Sequence, residues 1–159
     1  MILQYFKKKE NEYKIKADST YVNILEESKN LLEKEYFLKN NFDSTFEIVA
    51  ILLIFNIKTY RDSNFNHKKL FKDELIKNFI HDLDKSIREI GIGDMSLGKY
   101  VKKYVKKFYY RVKFLDPILN SQNELKGFES YLNSLNLINH NKTHEMSLFL
   151  LSIFRKLNN

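Results

Sequence analysis

Residues 81–116 read HDLDKSIREIGIGDMSLGKYVKKYVKKFYYRVKFLD, and the reading of this stretch decides the fold. Entering it from just upstream, Ile76, Phe79, Ile80, Leu83, Ile87 and Ile90 recur at three- and four-residue spacing, which places them on one helical face directed at a core. Gly91 then stops the helix, because glycine can take the left-handed backbone conformation that closes a helix without a Cβ clash. After the turn Leu97, Val101, Val105, Phe108, Val112 and Leu115 restore the helical period. Lys99, Lys102, Lys103, Lys106, Lys107 and Lys113 fall on the opposite side. With Arg111 they make seven basic residues between positions 99 and 113, with no Asp or Glu among them. The whole chain has 27 basic and 20 acidic residues, so 20 of each remain elsewhere and this helix holds the entire net charge of +7. Such a face repels itself unless water, salt or an anionic partner neutralises it. All seven residues are therefore candidates for a partner-binding face, set against the alternative of a solvated helix surface.

Upstream, Ser44-Thr45-Phe46-Glu47 has the form of a capping box, and Ile48 to Phe55 is apolar on every side. A helix of that kind must be enclosed by others, so residues 46–57 are expected to be the packing centre. Before it, Asp18 or Ser19 can cap a helix carrying Tyr21, Ile24, Leu25, Leu31 and Leu32. Residues 1–16, with Tyr5, Phe6, Tyr13 and five lysines, read as a basic tail. A connection at 61–64 leads to a helix beginning near Asn66, with Leu70, Phe71 and Leu75 inward. Downstream, Asp116-Pro117 ends the basic helix or starts its last irregular turn. Leu125, Phe128, Leu132 and Leu135 mark another amphipathic helix, weakened by Gly127. A cap at Thr143 opens a final helix with Met146, Phe149, Leu150, Ile153, Phe154 and Leu157 on its core face. The expectation is an all-α, single-domain bundle of about six helices occupying residues 17–159.

Composition agrees. The chain of 159 residues suits one domain, and four glycines with a single proline leave few turn signals. Thirteen Phe and ten Tyr without Trp imply an aromatic-rich core. No cysteine means no disulfide, no thiolate nucleophile and no cysteine-ligated zinc. No apolar run reaches the roughly 18–20 residues that cross a bilayer. A soluble, cytoplasmic protein is expected, with membrane contact at most peripheral.

The motifs for chemistry are weak. Gly91-Ile92-Gly93-Asp94 lacks the preceding strand and third glycine of a dinucleotide fingerprint, and Gly98-Lys99 is followed by Tyr100 rather than the Ser or Thr of a P-loop. His81 with Asp84, and His140 with His144, do not gather three metal ligands. No serine sits in a recognisable nucleophile turn. The sequence therefore offers no catalytic residue, no metal site and no cofactor, and it points to a protein that acts by binding.

One resemblance is specific. Asp82, Asp84, Arg88-Glu89, Gly91, Gly93-Asp94, Gly98-Lys99, Val101-Lys102, Phe108-Tyr109 and Arg111 resemble, in order and spacing, the signature of the ubiquinol-cytochrome c chaperone family. The likeness extends through Ala17-Asp18, Tyr21, Ile24 and Phe46-Glu47, covering about residues 17–116. Relatives usually carry a small residue in place of Tyr110 and often a histidine in place of Leu52, so no histidine chemistry is carried over. The resemblance implies an assembly factor for the cytochrome bc1 complex whose client is newly made cytochrome b. It brings with it an expected position at the ribosome or at an anionic membrane surface, and a second assembly-factor subunit as a further partner. The shortness of the chain and the lack of an Arg/Ser-rich presequence point to a bacterial relative working at the cytoplasmic side of the inner membrane, whereas mitochondrial relatives work on the matrix side. The rival reading is a helical nucleic-acid-binding module that uses the same lysines, with Tyr100, Tyr104 and Tyr110 stacking on bases.

Overall fold

The computed structural model describes residues 2–159, and side chains from Glu12 onward. Six α-helices follow in order: α1 (Ile2–Leu32), α2 (Phe42–Asp62), α3 (Lys68–Glu89), α4 (Asp94–Leu119), α5 (Glu124–Ser134) and α6 (Thr143–Asn158). A 3₁₀ turn, His140–Lys142, precedes α6. Among the described residues the sole β pairing is an isolated antiparallel bridge between Phe37 and Ile138. It ties the α1–α2 loop to the α5–α6 loop through Leu38 N–H donating to Leu137 (2.9 Å) and Asn139 N–H donating to Tyr36 (2.9 Å). The bundle expected from periodicity is the one observed.

The central helix is α2. Every residue from Phe46 to Asn56 is buried, as its apolarity on all sides requires, and α1, α3, α4 and α6 pack around it. An aromatic chain crosses the interior, with Phe46 and Tyr104 rings 5.0 Å apart, Phe46 and Phe79 6.1 Å, and Phe79 and Phe108 5.2 Å. It joins α2, α3 and α4. Each phenylalanine fully withdrawn from water contributes about 2–3 kcal/mol.

Several sequence expectations shift, by anything from one residue to several turns. Helix α1 starts at Ile2, so the segment read as a tail belongs to the first helix. Its Tyr13 packs against the core, while the side chains of Tyr5, Phe6 and Lys7 to Lys9 lie outside the described residues. The capping box sits three residues earlier than expected. Asn41 Oδ1 accepts from Ser44 N–H (3.1 Å), and Ser44 Oγ accepts from Asn41 N–H (2.8 Å). Ser44 is thus the third helical residue and Glu47 is released from capping. Helix α3 begins at Lys68 rather than Asn66, with Leu70 and Ile90 exposed although the spacing had placed them inward. Pro117 lies inside the last turn of α4, which is the second of the two places expected for it. Thr143 is the first residue of α6 rather than its cap, and its hydroxyl donates to Asn133 Oδ1 (2.8 Å).

Gly127 serves a close approach. A Cβ there would lie 3.1 Å from Ile118 Cγ2, so its absence lets α5 settle against α4.

Candidate functional site

The basic helix presents two kinds of cation. Lys99, Lys102, Lys103, Lys106 and Lys113 are exposed, and none lies within ion-pair distance of a carboxylate among the described residues. The Lys103 ammonium rests 5.9 and 5.7 Å from the rings of Tyr100 and Tyr104. These five point outward because Leu97, Tyr104, Phe108, Leu115 and Leu119, buried on the other side of α4, fix its rotation.

Lys107 and Arg111 depart from the expected outward face. Both turn toward Glu47, whose side chain is only 1% exposed. Arg111 donates twice, Nε to Oε2 at 2.9 Å and Nη2 to Oε1 at 2.7 Å, and Lys107 Nζ lies 3.0 Å from Oε1. Burial alone would lower the Arg111 pKa, but the bonds to Glu47 outweigh it and the net shift is upward. The physical reason is desolvation. A carboxylate enclosed in the core costs several kcal/mol unless paired, and α4 is the nearest source of cations. The sequence did carry the signal, since a lone acid beside an enclosed apolar run requires a cation from elsewhere.

A second buried charge lies three turns along α2. Lys58 is 5% exposed, and its Nζ reaches Asn120 Oδ1 at 2.7 Å, Asp116 Oδ1 at 3.2 Å and Asp62 Oδ2 at 3.7 Å. Arg61 also donates to Asp116, at 3.0 Å. The hydrogen bond from Arg61 holds the Asp116 pKa below its ordinary value. Partial burial opposes the shift and Lys58 reinforces it. Near the start of α2, Tyr104 donates to Asp43 (3.1 Å). Burial, then that bond, push the Tyr104 hydroxyl up to about 12.

Five of the signature residues, Asp82, Asp84, Arg88, Gly91 and Asp94, make contacts that hold the α3–α4 turn and its neighbours together. Gly91 has φ +96°. Its N–H donates to Arg88 O (3.0 Å) and the Ile92 N–H to Ile87 O (3.4 Å), the paired bonds of a Schellman closure. Arg88 bonds both Asp84 (3.0 Å) and Asp94, clasping the turn from the two helices. Asp82 accepts from the Tyr21 hydroxyl (2.9 Å) and joins α3 to α1. Burial, followed by the Asp82 charge, raises the Tyr21 pKa. Glu89 is exposed. Gly93 precedes α4 in extended conformation. Gly98 lies within α4, and a Cβ on either glycine would meet open space, so packing inside the chain does not require them.

Elsewhere, a cleft of about 490 Å³ opens between α1, α2 and α6, lined among others by Thr20, Leu52, Asn56, Thr59 and Ile153. Leu52, where relatives often have histidine, gives this cleft an apolar contact. His140 lies 3.2 Å from Asn133 while His144 bonds Glu129, so the two histidines face different partners. Of the three tyrosines offered for base stacking, Tyr104 is buried, Tyr100 is half-buried and Tyr110 is exposed. That corrects the stacking platform to one ring of the three.

Comparison with known proteins places these features in a family context. The family model described as ubiquinol-cytochrome C chaperone matches residues 34–132, which takes in α2 to α4 and nearly all of α5. Over 160 positions the chain is 31% identical to the uncharacterized protein MJ1060 of Methanocaldococcus jannaschii. That alignment covers 89% of this chain and 29% of the archaeal protein, so the chain spans under a third of that relative's length. The crystal structure of the Cbp3 homolog from Brucella abortus is similar with a TM-score of 0.82 at 21% identity, covering 100% of this chain and 89% of that one. At that identity it shows a shared fold.

Proposed function

The chain belongs to the ubiquinol-cytochrome C chaperone family, and from that membership we propose that it is a non-enzymatic assembly factor for ubiquinol-cytochrome c reductase, the bc1 complex. Its client in this reading is newly made cytochrome b. The observation that carries the proposal is the family match across residues 34–132, which contains both buried charge pairs and the clasped α3–α4 turn. The outward lysines of α4 supply the second half of the reading, a docking face for a dense negative surface, either a ribosome or an anionic membrane. In this reading the protein works at the cytoplasmic side, peripheral to the inner membrane, with the lysine face toward anionic headgroups. A second assembly-factor subunit completes the set of candidate partners.

Deletion of the gene tests the proposal. Assembled bc1 complex, measured on native gels and by haem b absorbance, should fall severalfold while other respiratory complexes are spared. Crosslinking pull-down from growing cells should recover cytochrome b. Normal bc1 levels in the deletion strain would sink the assembly role.

A further inference from the structure

We infer that the outward face of α4 rests on an anionic lipid bilayer, an inference that depends on the docking role proposed above. The five free lysines do not stand alone on that face. Met95, Tyr109, Tyr110 and Phe114 are exposed by 104, 53, 54 and 57% respectively. Helical geometry at 100° per residue puts all four on the same outward half of α4 as the lysines. Lys99, Lys103, Lys106 and Tyr110 follow one another along a single line, continued by Phe114. The N-terminal part of this line is cationic and the C-terminal part aromatic.

That combination distinguishes lipid from nucleic acid. Aromatic rings with a polar edge and long lysine stems are the side chains favoured at a membrane interface, where the ring enters the headgroup boundary and the ammonium stays with the phosphates. Nucleic acid would use exposed rings too, but would draw on guanidinium groups beside them. Here the one arginine of the stretch is committed to Glu47, and Tyr104 to Asp43. The 26-residue helix lies with its buried side on the bundle, so it can lie flat on a surface along its length. No carboxylate between positions 99 and 113 opposes the headgroups.

The experiment uses the full chain with vesicles of phosphatidylcholine, vesicles containing phosphatidylglycerol, and purified ribosomes, each at low and high salt. Two variants are compared, Lys99→Gln/Lys102→Gln/Lys103→Gln/Lys106→Gln and Tyr110→Ser/Phe114→Ser, with circular dichroism confirming that both fold. The wild type is expected to sediment with phosphatidylglycerol vesicles and to be released by salt. At roughly a fivefold affinity change per lysine, the four substitutions together cost about 600-fold. The aromatic variant loses about tenfold on vesicles with ribosome sedimentation unchanged. Wild-type sedimentation with ribosomes but not with anionic vesicles overturns the lipid inference and leaves the docking face standing. Sedimentation with neither overturns both, while bc1 depletion in the deletion strain would still stand on its own. Vesicle binding that the aromatic variant does not weaken also overturns the inference.

Discussion

At the scale of single residues, the consequential group is Glu47. Its carboxylate has no route to water, whereas Arg111 and Lys107 remain partly exposed, with side-chain accessibilities of 22% and 28%. The pair is therefore asymmetric. Removing the arginine strands a buried anion on a single lysine, while removing the acid leaves cations that can turn outward. Arg111→Met should cost about 3–5 kcal/mol in urea unfolding, and Glu47→Gln clearly less. Equal costs would mean that the acid is not the trapped partner. Gly91 is the other residue whose identity the backbone dictates. Gly91→Ala should cost about 1–2 kcal/mol because an alanine is strained at φ +96°. A wild-type thermal midpoint for that variant would show that the turn can relax.

Among the elements, α2 and α4 are joined along their length by a hydrogen bond and two groups of opposite charges. Asp43 meets Tyr104, Glu47 meets Lys107 and Arg111, and Lys58 meets Asp116 and Asn120. The pairings rise together along both helices, so α2 and α4 run in the same direction. Reversing α4 would set Glu47 against Asp116, and Lys58 against Lys107 and Arg111, like charge against like. Apolar packing alone tolerates such a reversal far better. Asp116→Asn should lower stability by about 1–2 kcal/mol at neutral pH, since Lys58 keeps Asn120 and the more distant Asp62. The sign with pH is set by the depressed Asp116 pKa. Its contribution is complete above the ordinary carboxylate range and is lost as pH falls through the lower folded value. The difference between wild type and Asp116→Asn in urea midpoint should therefore be full at pH 7 and shrink toward pH 2. A difference independent of pH would rule out the ionised form as the source.

At the scale of the molecule, the bundle separates an enclosed α2 from an α4 that is half core and half surface. The five lysines left outward concentrate positive charge on one face of α4, and the bc1 assembly role and the membrane docking proposed here both draw on that division. Neither depends on an internal catalytic group.

Much of this was written in the chain. Helical periodicity, the apolar run at 48–55 and the glycine at 91 determined an all-α bundle and its central helix, because burial of an amphipathic or apolar helix is a local property of residue order. The family likeness lay in the spacing of Asp82, Arg88, Gly91, Asp94 and Gly98. What tertiary structure decided was the fate of charges. The sequence placed seven cations on one face, and only the fold withdrew two of them, because the demand came from an acid sixty-four residues away on another helix. It likewise moved the cap from Ser44 to Asn41 and left Tyr110 as the one exposed ring of the three. Desolvation is a property of enclosure, which no stretch of sequence possesses until other helices surround it.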